Sequence, residues 1–295
     1  MLRALAPRIP LVLDAFIAIE ETLADRGLTS AASPSRRMAR LLDRLAMRAA
    51  DLVVVDTAAH ARRYTADYGL DQARAVVVPV GAFDPEVRGR GSGVGDRLRV
   101  LYFGGFIPLH GVPVVLEAAR RLSPDEGIQL DLVGDGQQAA EAEEFLAQQR
   151  LPHVALRRTW MPEEELVARH IAPADVCLGI FALAPKTMDV VPAKVYLALA
   201  CGRAVLTADT PAMREEILGR MSGEEPLALC SAGDPDSLAD ALRRLRDDPE
   251  RRDRIAAAGR RLYESHFRPE HVVEPLITAL ARFGPRLIGP SRTAR

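Results

Sequence analysis

The stretch Val191-Pro192-Ala193-Lys194-Val195-Tyr196-Leu197-Ala198-Leu199-Ala200-Cys201-Gly202-Arg203-Ala204-Val205-Leu206-Thr207-Ala208-Asp209 decides the fold. Pro192 suits a first helical position, because the N–H it lacks has no intrahelical partner there. A helix is expected over Ala193–Ala200, and Gly202 suits the left-handed cap that ends it. Ala204–Ala208 is a short apolar run of buried-strand type. A helix opening at a sheet edge presents unbonded N–H groups and a partial positive charge, which is a place for an anion. Val191 and Pro192 mark that opening. A second one lies upstream, in Gly104-Gly105-Phe106-Ile107-Pro108-Leu109-His110-Gly111. Together they point to a site for a phosphorylated ligand.

On either side, short apolar runs alternate with helical periodicity, which implies a parallel sheet covered by helices. A first block has strands at Ile9–Leu13, Leu52–Val55 and Ala75–Pro79. Its helices run over Pro34–Ala50 and up to Tyr68, where Gly69 stops the second. Residues 88–97 are glycine-rich without apolar periodicity and read as a linker. A second α/β unit begins at Leu98, with strands at Arg99–Phe103, Gln129–Val133, His153–Leu156, Val176–Phe181, Ala204–Ala208 and Leu227–Leu229. Helices fill the gaps over Val112–Leu122, Gln138–Gln149, Glu163–His170, Asp236–Arg246 and Glu250–His266. A last helix covers Glu270–Arg282 after Pro269. The first block holds about three strands where sheets average about five or six. Either an N-terminal piece precedes it or a partner completes the sheet.

The 295 residues suffice for two ordinary domains, and 48% hydrophobic residues supply a core. A formal net charge of −1 argues against a dedicated nucleic-acid binder, which needs a basic surplus. Cys177, Cys201 and Cys230 lie far apart, without metal-ligand spacing. Buried reduced thiols and a cytosolic compartment are expected. No apolar run reaches the ~20 residues that span a bilayer. Met1–Pro10 is interrupted by arginines and prolines, unlike a signal peptide.

Gly104 and Gly105 follow a strand and Gly111 opens a helix. Residues this small let a backbone approach a diphosphate, although a plain βα turn uses them equally. Gly134-Asp135-Gly136 repeats the pattern, and ligands of open α/β sheets collect beyond the carboxyl ends of the strands. Lys194 sits in a first helical turn, where the dipole disfavours a cation, so it needs a counter-anion or solvation. His110 reads either as a structural hydrogen-bonder or as a donor to an anion that keeps it protonated. Asp56 and Thr57 read as helix caps, and so does Thr210 before Pro211. Asp14, at the end of the first strand, reads as a group that orients an acceptor or acts as a base. Arg37, Arg40, Arg44 and Arg48 recur at helical spacing beside Met38, Leu41, Leu42 and Leu45. They form a solvated face or a surface for anionic lipid headgroups.

In their order, Val55–His60, Val78–Gly81, the turn Phe106–Gly111, Leu132–Gly136, Ala174–Val176 and Val191–Asp209 resemble the retaining glycosyltransferases of family 4, also called glycosyl transferases group 1. The resemblance covers nearly the whole chain. It implies an α/β fold of two facing Rossmann-like domains (GT-B), the first incomplete. Residues 1–87 would be a partial acceptor-side domain, 88–97 a linker and 98–268 the nucleotide-sugar-binding domain, with 269–285 a helix crossing back. It further implies transfer of a sugar, with retention, from a nucleotide-diphosphate donor to a glycan or lipid-linked acceptor, in polysaccharide or cell-surface glycan biosynthesis. The compartment implied is the cytoplasm or the inner face of its membrane. No metal or other cofactor is expected, since basic side chains and helix N-termini stabilise the departing diphosphate. Lys194, Asp189 and Asp14 would carry catalysis. Gly104, Gly105, His110, Gly111, Gly134, Asp135, Val191 and Pro192 would bind the donor.

The chain also departs from the family pattern. Gly105 and His110 stand where the family has an arginine and a lysine, and Asp189 and Leu197 where it has two glutamates. The second glutamate accepts hydrogen bonds from the donor ribose, and leucine accepts none. A catalytically degenerate homologue that binds a nucleotide or a partner is therefore the alternative. Another two-domain α/β enzyme, such as a sugar-nucleotide epimerase, shares the fold class.

Overall fold

The computed structural model describes residues 9–25, 30, 33–85 and 97–284. The chain divides into two compact units. One takes in the residues up to Pro79 with those from Glu270 on, and the other runs over Val80–Pro269. Most of the expected linker 88–97 lies outside the described residues. The division falls before it, because Val80–Pro85 is bound into the second unit. Asp84 there accepts from Arg260 at 2.7 Å and from Arg268 at 3.1 Å, and the Tyr263 hydroxyl donates to the Ala82 carbonyl at 3.0 Å.

The first unit carries three parallel strands, β1 (Val12–Asp14), β2 (Leu52–Val55) and β3 (Ala75–Val77), in the order β1-β2-β3. Helices α1 (Ile19–Asp25), α2 (Pro34–Ala49) and α3 (Ala58–Tyr68) accompany them. Thr57 caps α3 as expected, its side chain accepting from His60 N–H, and Gly69 ends the helix in the left-handed region. Asp56 is no cap. Its carboxylate lies 2.6 Å from the buried His60 Nδ1. Burial opposes charge on that imidazole, but Asp56 and Glu21 outweigh it and raise the His60 pKa.

Helix α1 has no cap signal of its own in the sequence. Its first N–H groups, from Ile19 and Glu20, donate to the Asp43 carboxylate on α2 at 3.1 and 2.9 Å. Buried phenols tie the same elements together: Tyr64 donates to Glu21 at 3.0 Å and Tyr68 to Glu20 at 2.9 Å. On α2, Ala39, Asp43 and Met47 face inward, while Met38, Leu41, Leu42 and Leu45 are exposed. Its arginines are partly engaged, because Arg40 and Arg44 both donate to the Asp67 carbonyl.

The second unit is a six-stranded parallel sheet. Its strands are β4 (Leu98–Phe103), β5 (Ile128–Val133), β6 (Val154–Arg157), β7 (Val176–Leu178), β8 (Ala204–Ala208) and β9 (Ala228–Cys230). Their order is β6-β5-β4-β7-β8-β9. Covering helices include α4 (Val112–Arg121), α5 (Ala139–Gln149), α6 (Glu163–Leu166), α7 (Pro185–Asp189), α8 (Ala193–Ala200), α9 (Pro211–Glu216), α10 (Pro235–Asp247) and α11 (Pro249–Leu262). The last helix, α12 (Pro269–Ala281), falls in the first unit from Glu270 on. All five residues of β8 are buried, which accounts for its unbroken apolar run. Pro192 is the helix cap in extended conformation, so α8 opens at Ala193, one residue later than its proline suggests. From β4 the chain winds to β5 and β6 on one side, and later to β7, β8 and β9 on the other. Such a reversal opens a crevice beyond the carboxyl ends of β4 and β7. Cys177, Cys201 and Cys230 are free and buried, and burial pushes the Cys201 and Cys230 thiols up to about 12.

Candidate functional site

The carboxyl end of β4 runs into Gly104 and Gly105, and the turn after β5 lies directly against it. Gly134 has φ +152°, and a Cβ there would sit 2.0 Å from the Gly104 carbonyl oxygen. Only glycine permits that approach of backbone to backbone. Phe106, fully buried, joins the turns: its N–H donates to the Asp135 carbonyl at 2.9 Å and its carbonyl accepts from Gln138 N–H at 2.8 Å. The loop then makes a short turn at Pro108–His110 and enters α4 through Gly111 at φ +70°. A Cβ on Gly111 would lie 2.5 Å from the Ala182 nitrogen, on the segment after β7. Both halves of the crevice are therefore packed backbone on backbone.

Lys194 enters this crevice from the first turn of α8. Its side chain is only 7% exposed. The ammonium stands 4.0 Å from the centre of the Tyr102 ring and 3.4 Å from His110 Nδ1. It also lies 3.6 Å from where a Gly104 Cβ would be. Among the described residues no carboxylate forms an ion pair with it. A desolvated cation over an aromatic face gains about 2 kcal/mol. That gain is smaller than the penalty of burying the charge, so burial pulls the Lys194 pKa down to about 7.

His110 does not fit the reading of a protonated donor. Burial, reinforced by the neighbouring Lys194, pushes its pKa down to about 3, so the ring is neutral. Its Nδ1 lies 2.5 Å from the Gly105 carbonyl. A carbonyl only accepts, so Nδ1 carries the proton and Nε2 keeps its lone pair. The Tyr102 hydroxyl donates to the same carbonyl at 2.9 Å. His110 and Tyr102 thus clamp the glycine turn, and Lys194 supplies the positive charge.

The other sequence candidates divide by position. Val191 is buried and Pro192 half-buried at the opening of α8, where the Ala193 and Lys194 N–H groups begin the helix. Asp189 ends the five-residue α7, two positions before Val191, and is half-buried. Asp135 is occupied locally: it accepts from Gly136 N–H at 2.8 Å and from Arg158 at 3.3 Å, and Arg158 also holds Glu143 at 2.8 Å. Leu197 is buried on α8. Asp14 belongs to the first unit, at the end of β1, where its side chain accepts from Phe16 N–H at 3.2 Å.

Two site residues escaped the sequence reading. Tyr102 was absorbed into a strand, although an aromatic two residues before a glycine turn is a signal. Trp160 stands in the loop after β6, where no periodicity marks it. Among the described residues no group of three or more His, Cys, Asp or Glu side chains is gathered to hold a metal ion. No described helix is long and apolar enough to cross a membrane.

The family model of glycosyl transferases group 1 matches residues 97–248, and the model of a glycosyl transferase 4-like domain matches residues 1–81. A D-inositol 3-phosphate glycosyltransferase of Geodermatophilus obscurus is 31% identical over 263 residues, covering 83% of this chain and 55% of that protein. An MMP alpha-(1->4)-mannosyltransferase of Mycolicibacterium hassiacum is 26% identical over 218 residues, covering 74% of this chain and 50% of that protein. The chain thus spans about half the length of these curated relatives. Among solved structures, Anabaena Alr3699/HepE in complex with UDP and glucose superposes with a TM-score of 0.73 at 17% identity, covering 94% of this chain and 73% of that one. A sucrose-phosphate synthase from Thermosynechococcus elongatus gives a TM-score of 0.70 at 17% identity, covering 92% and 67%. These likenesses establish the GT-B fold class of Rossmann-like units, of which the first holds three strands among the described residues. With a family model over half its length and parallel sheets of the matching kind, the chain belongs to the glycosyl transferases group 1 family.

Proposed function

We propose that this chain moves a sugar from a nucleotide-diphosphate donor to a hydroxyl of a glycan or lipid-linked acceptor, with retention and without a catalytic metal, in polysaccharide or cell-surface glycan biosynthesis. One observation carries the reading: Lys194 is a buried ammonium that no carboxylate among the described residues pairs with, aimed at a backbone crevice that a diphosphate would fill. The Ala193 and Lys194 N–H groups add the partial charge of a helix N-terminus. As the glycosidic bond breaks, negative charge grows on the diphosphate, where preorganised donors stabilise it most. Asp189 would contact the sugar hydroxyls and Asp14 the acceptor. The test is incubation of the full chain with a panel of nucleotide-diphosphate sugars. Transfer or hydrolysis is expected, and no turnover with any donor counts against the reading.

A second reading, binding without turnover, is favoured by Leu197, which places an aliphatic side chain where the family carries an acid. Stabilisation by nucleoside diphosphates without turnover would select it, since a ligand of the native state raises stability by mass action.

Lys194 gives donor binding a definite pH dependence. A bound diphosphate raises the lysine pKa from about 7, so above pH 7 binding takes up a proton. Affinity for UDP or GDP is expected to fall as pH rises from about 7 to the raised pKa of the bound form, and to level off above it. Below about 7 the ammonium is already charged and adds no dependence. Calorimetry in buffers of different ionisation enthalpy counts the protons, and Lys194→Met is expected to abolish the uptake. Equal uptake in both proteins would exclude Lys194 as its source.

The exposed Met38, Leu41, Leu42 and Leu45 of α2, flanked by Arg37 and Arg48, support a peripheral contact with anionic lipid headgroups and a lipid-linked acceptor. Flotation with phosphatidylglycerol vesicles is expected to carry the protein, and Leu41→Glu with Leu45→Glu to release it. Equal flotation of both proteins would refute the contact.

A further inference from the structure

The loop that follows Asp14 and leads into α1 has little apolar anchorage. Ala15 and Ala18 are buried, but Phe16 and Ile17 are 46% and 49% exposed. Polar contacts hold the loop instead. Ala15 N–H donates to the Val54 carbonyl on β2 at 2.9 Å, and Ala18 N–H donates to the Tyr64 hydroxyl at 2.9 Å. That hydroxyl donates in turn to the Glu21 carboxylate at 3.0 Å. Glu21 faces the His60 ring, whose Nε2 stands 3.8 Å from it. On the other side, His60 Nδ1 meets Asp56, just past β2, at 2.6 Å. Tyr64, Glu21, His60 and Asp56 thus connect the loop to the carboxyl end of the neighbouring strand.

His60, Asp56 and Glu21 are all buried, and among the described residues His60 Nε2 has no hydrogen-bond partner. A neutral ring fits this setting badly in either tautomer. With its proton on Nδ1, the Nε2 lone pair faces the Glu21 carboxylate. With its proton on Nε2, the Nδ1 lone pair faces Asp56. The doubly protonated ring donates to Asp56 and sets positive charge against Glu21. Arg63 on α3 pairs with the other Glu21 oxygen, so two carboxylates meet two cations and the buried charge is balanced. The surrounding groups are engaged elsewhere. The Tyr64 ring packs on the imidazole at 4.1 Å between centroids, Glu20 on α1 holds Arg36 and Tyr68, and Asp43 on α2 caps α1. We propose that His60 is a buried imidazolium that latches the loop after Asp14 to the end of β2, and that the latch slackens when the proton is lost. His60 is a positioning residue, because it acts on the loop through Glu21 and Tyr64. Its pKa is raised in the fold, burial opposing the charge and Asp56 and Glu21 prevailing. The latch is therefore complete below the ordinary value of 6.5 and is lost as pH rises through the raised one. Its consequence for transfer rests on the reading of Asp14 as an acceptor contact; the latch itself does not.

The test is a pH titration of the full chain by NMR, with histidine rings labelled and the His60 ring assigned through its contacts with the Tyr64 ring. Both His60 nitrogens are expected to carry protons at about pH 6, and the ring to titrate above the ordinary histidine range. The amide signals of Phe16, Ile17 and Ala18 should move with the same midpoint. Glu21→Gln removes one of the two carboxylates and should lower that midpoint. In His60→Gln the amides of Ala15 and Ala18 are expected to exchange with solvent about tenfold faster or more at neutral pH, because a charged partner of the latch is gone. A neutral His60 ring at about pH 6 overturns the proposal. So does a ring that titrates while the loop signals stay still, or a folded His60→Gln with parental exchange in the loop. The titration of the parent protein decides the matter even where a variant fails to fold. No donor enters these measurements, so a chain that proves unable to transfer sugar overturns the transfer reading and leaves the latch to stand or fall by its own signals.

Discussion

Lys194→Ala is expected to lower turnover with the true donor by at least ~100-fold, because removing one preorganised donor from a site of developing negative charge costs about 10²–10³ in kcat. Binding of nucleoside diphosphate should weaken too, since hydrogen bonds to charged groups are worth roughly 1.5–3 kcal/mol each. Stability should move the other way or not at all. The wild-type ammonium is buried with no carboxylate among the described residues to pair with it, and burial already pulls its pKa down to about 7. Alanine relieves that desolvation and forfeits the contact with the Tyr102 ring at 4.0 Å. The opposed effects separate a functional lysine from a structural one. Thermal unfolding and initial rates measured on the same preparation check both, and turnover close to the parent's would remove Lys194 from the reaction.

Gly134→Ala tests the scaffold. The added methyl would meet the Gly104 carbonyl oxygen at 2.0 Å, in a backbone region at φ +152° that side chains rarely adopt. Strain of that kind costs about 1–3 kcal/mol before the clash is counted, and the sum is expected to reach about 4 kcal/mol. For a unit of this size that lowers the melting temperature by roughly 10 °C. A variant that survives must push Gly104 away, which moves the turn under Lys194, so nucleoside-diphosphate affinity should fall even in the folded fraction. The two losses together identify the contact between the turns as the frame of the site. A variant with parental melting and affinity would show that the turns do not depend on their close approach.

The key stretch was legible because its signals are local. The helix Ala193–Ala200 and the strand Ala204–Ala208 match the expected spans, and Gly202 takes φ +62° behind the helix. Apolar periodicity and a glycine stop need only near neighbours. The remaining differences have non-local causes. Helix α1 was not expected, because its cap is Asp43, supplied by another helix. The break between the units falls before the glycine-rich stretch, because Asp84 is claimed by Arg260 and Arg268 far along the chain. Asp56 looked like a cap, and only folding revealed its partner in a buried imidazole.

By itself the sequence determined the parallel α/β class, the glycine turns and the presence of one lysine at a helix opening. These follow from backbone freedom and side-chain period, which each short segment carries within itself. Tertiary structure decided the charges. It removed Lys194 from water, set it over Tyr102, and left His110 neutral with its Nδ1 proton donated to the Gly105 carbonyl. Protonation depends on desolvation and on neighbours brought from 84 residues away, and no stretch of sequence records either.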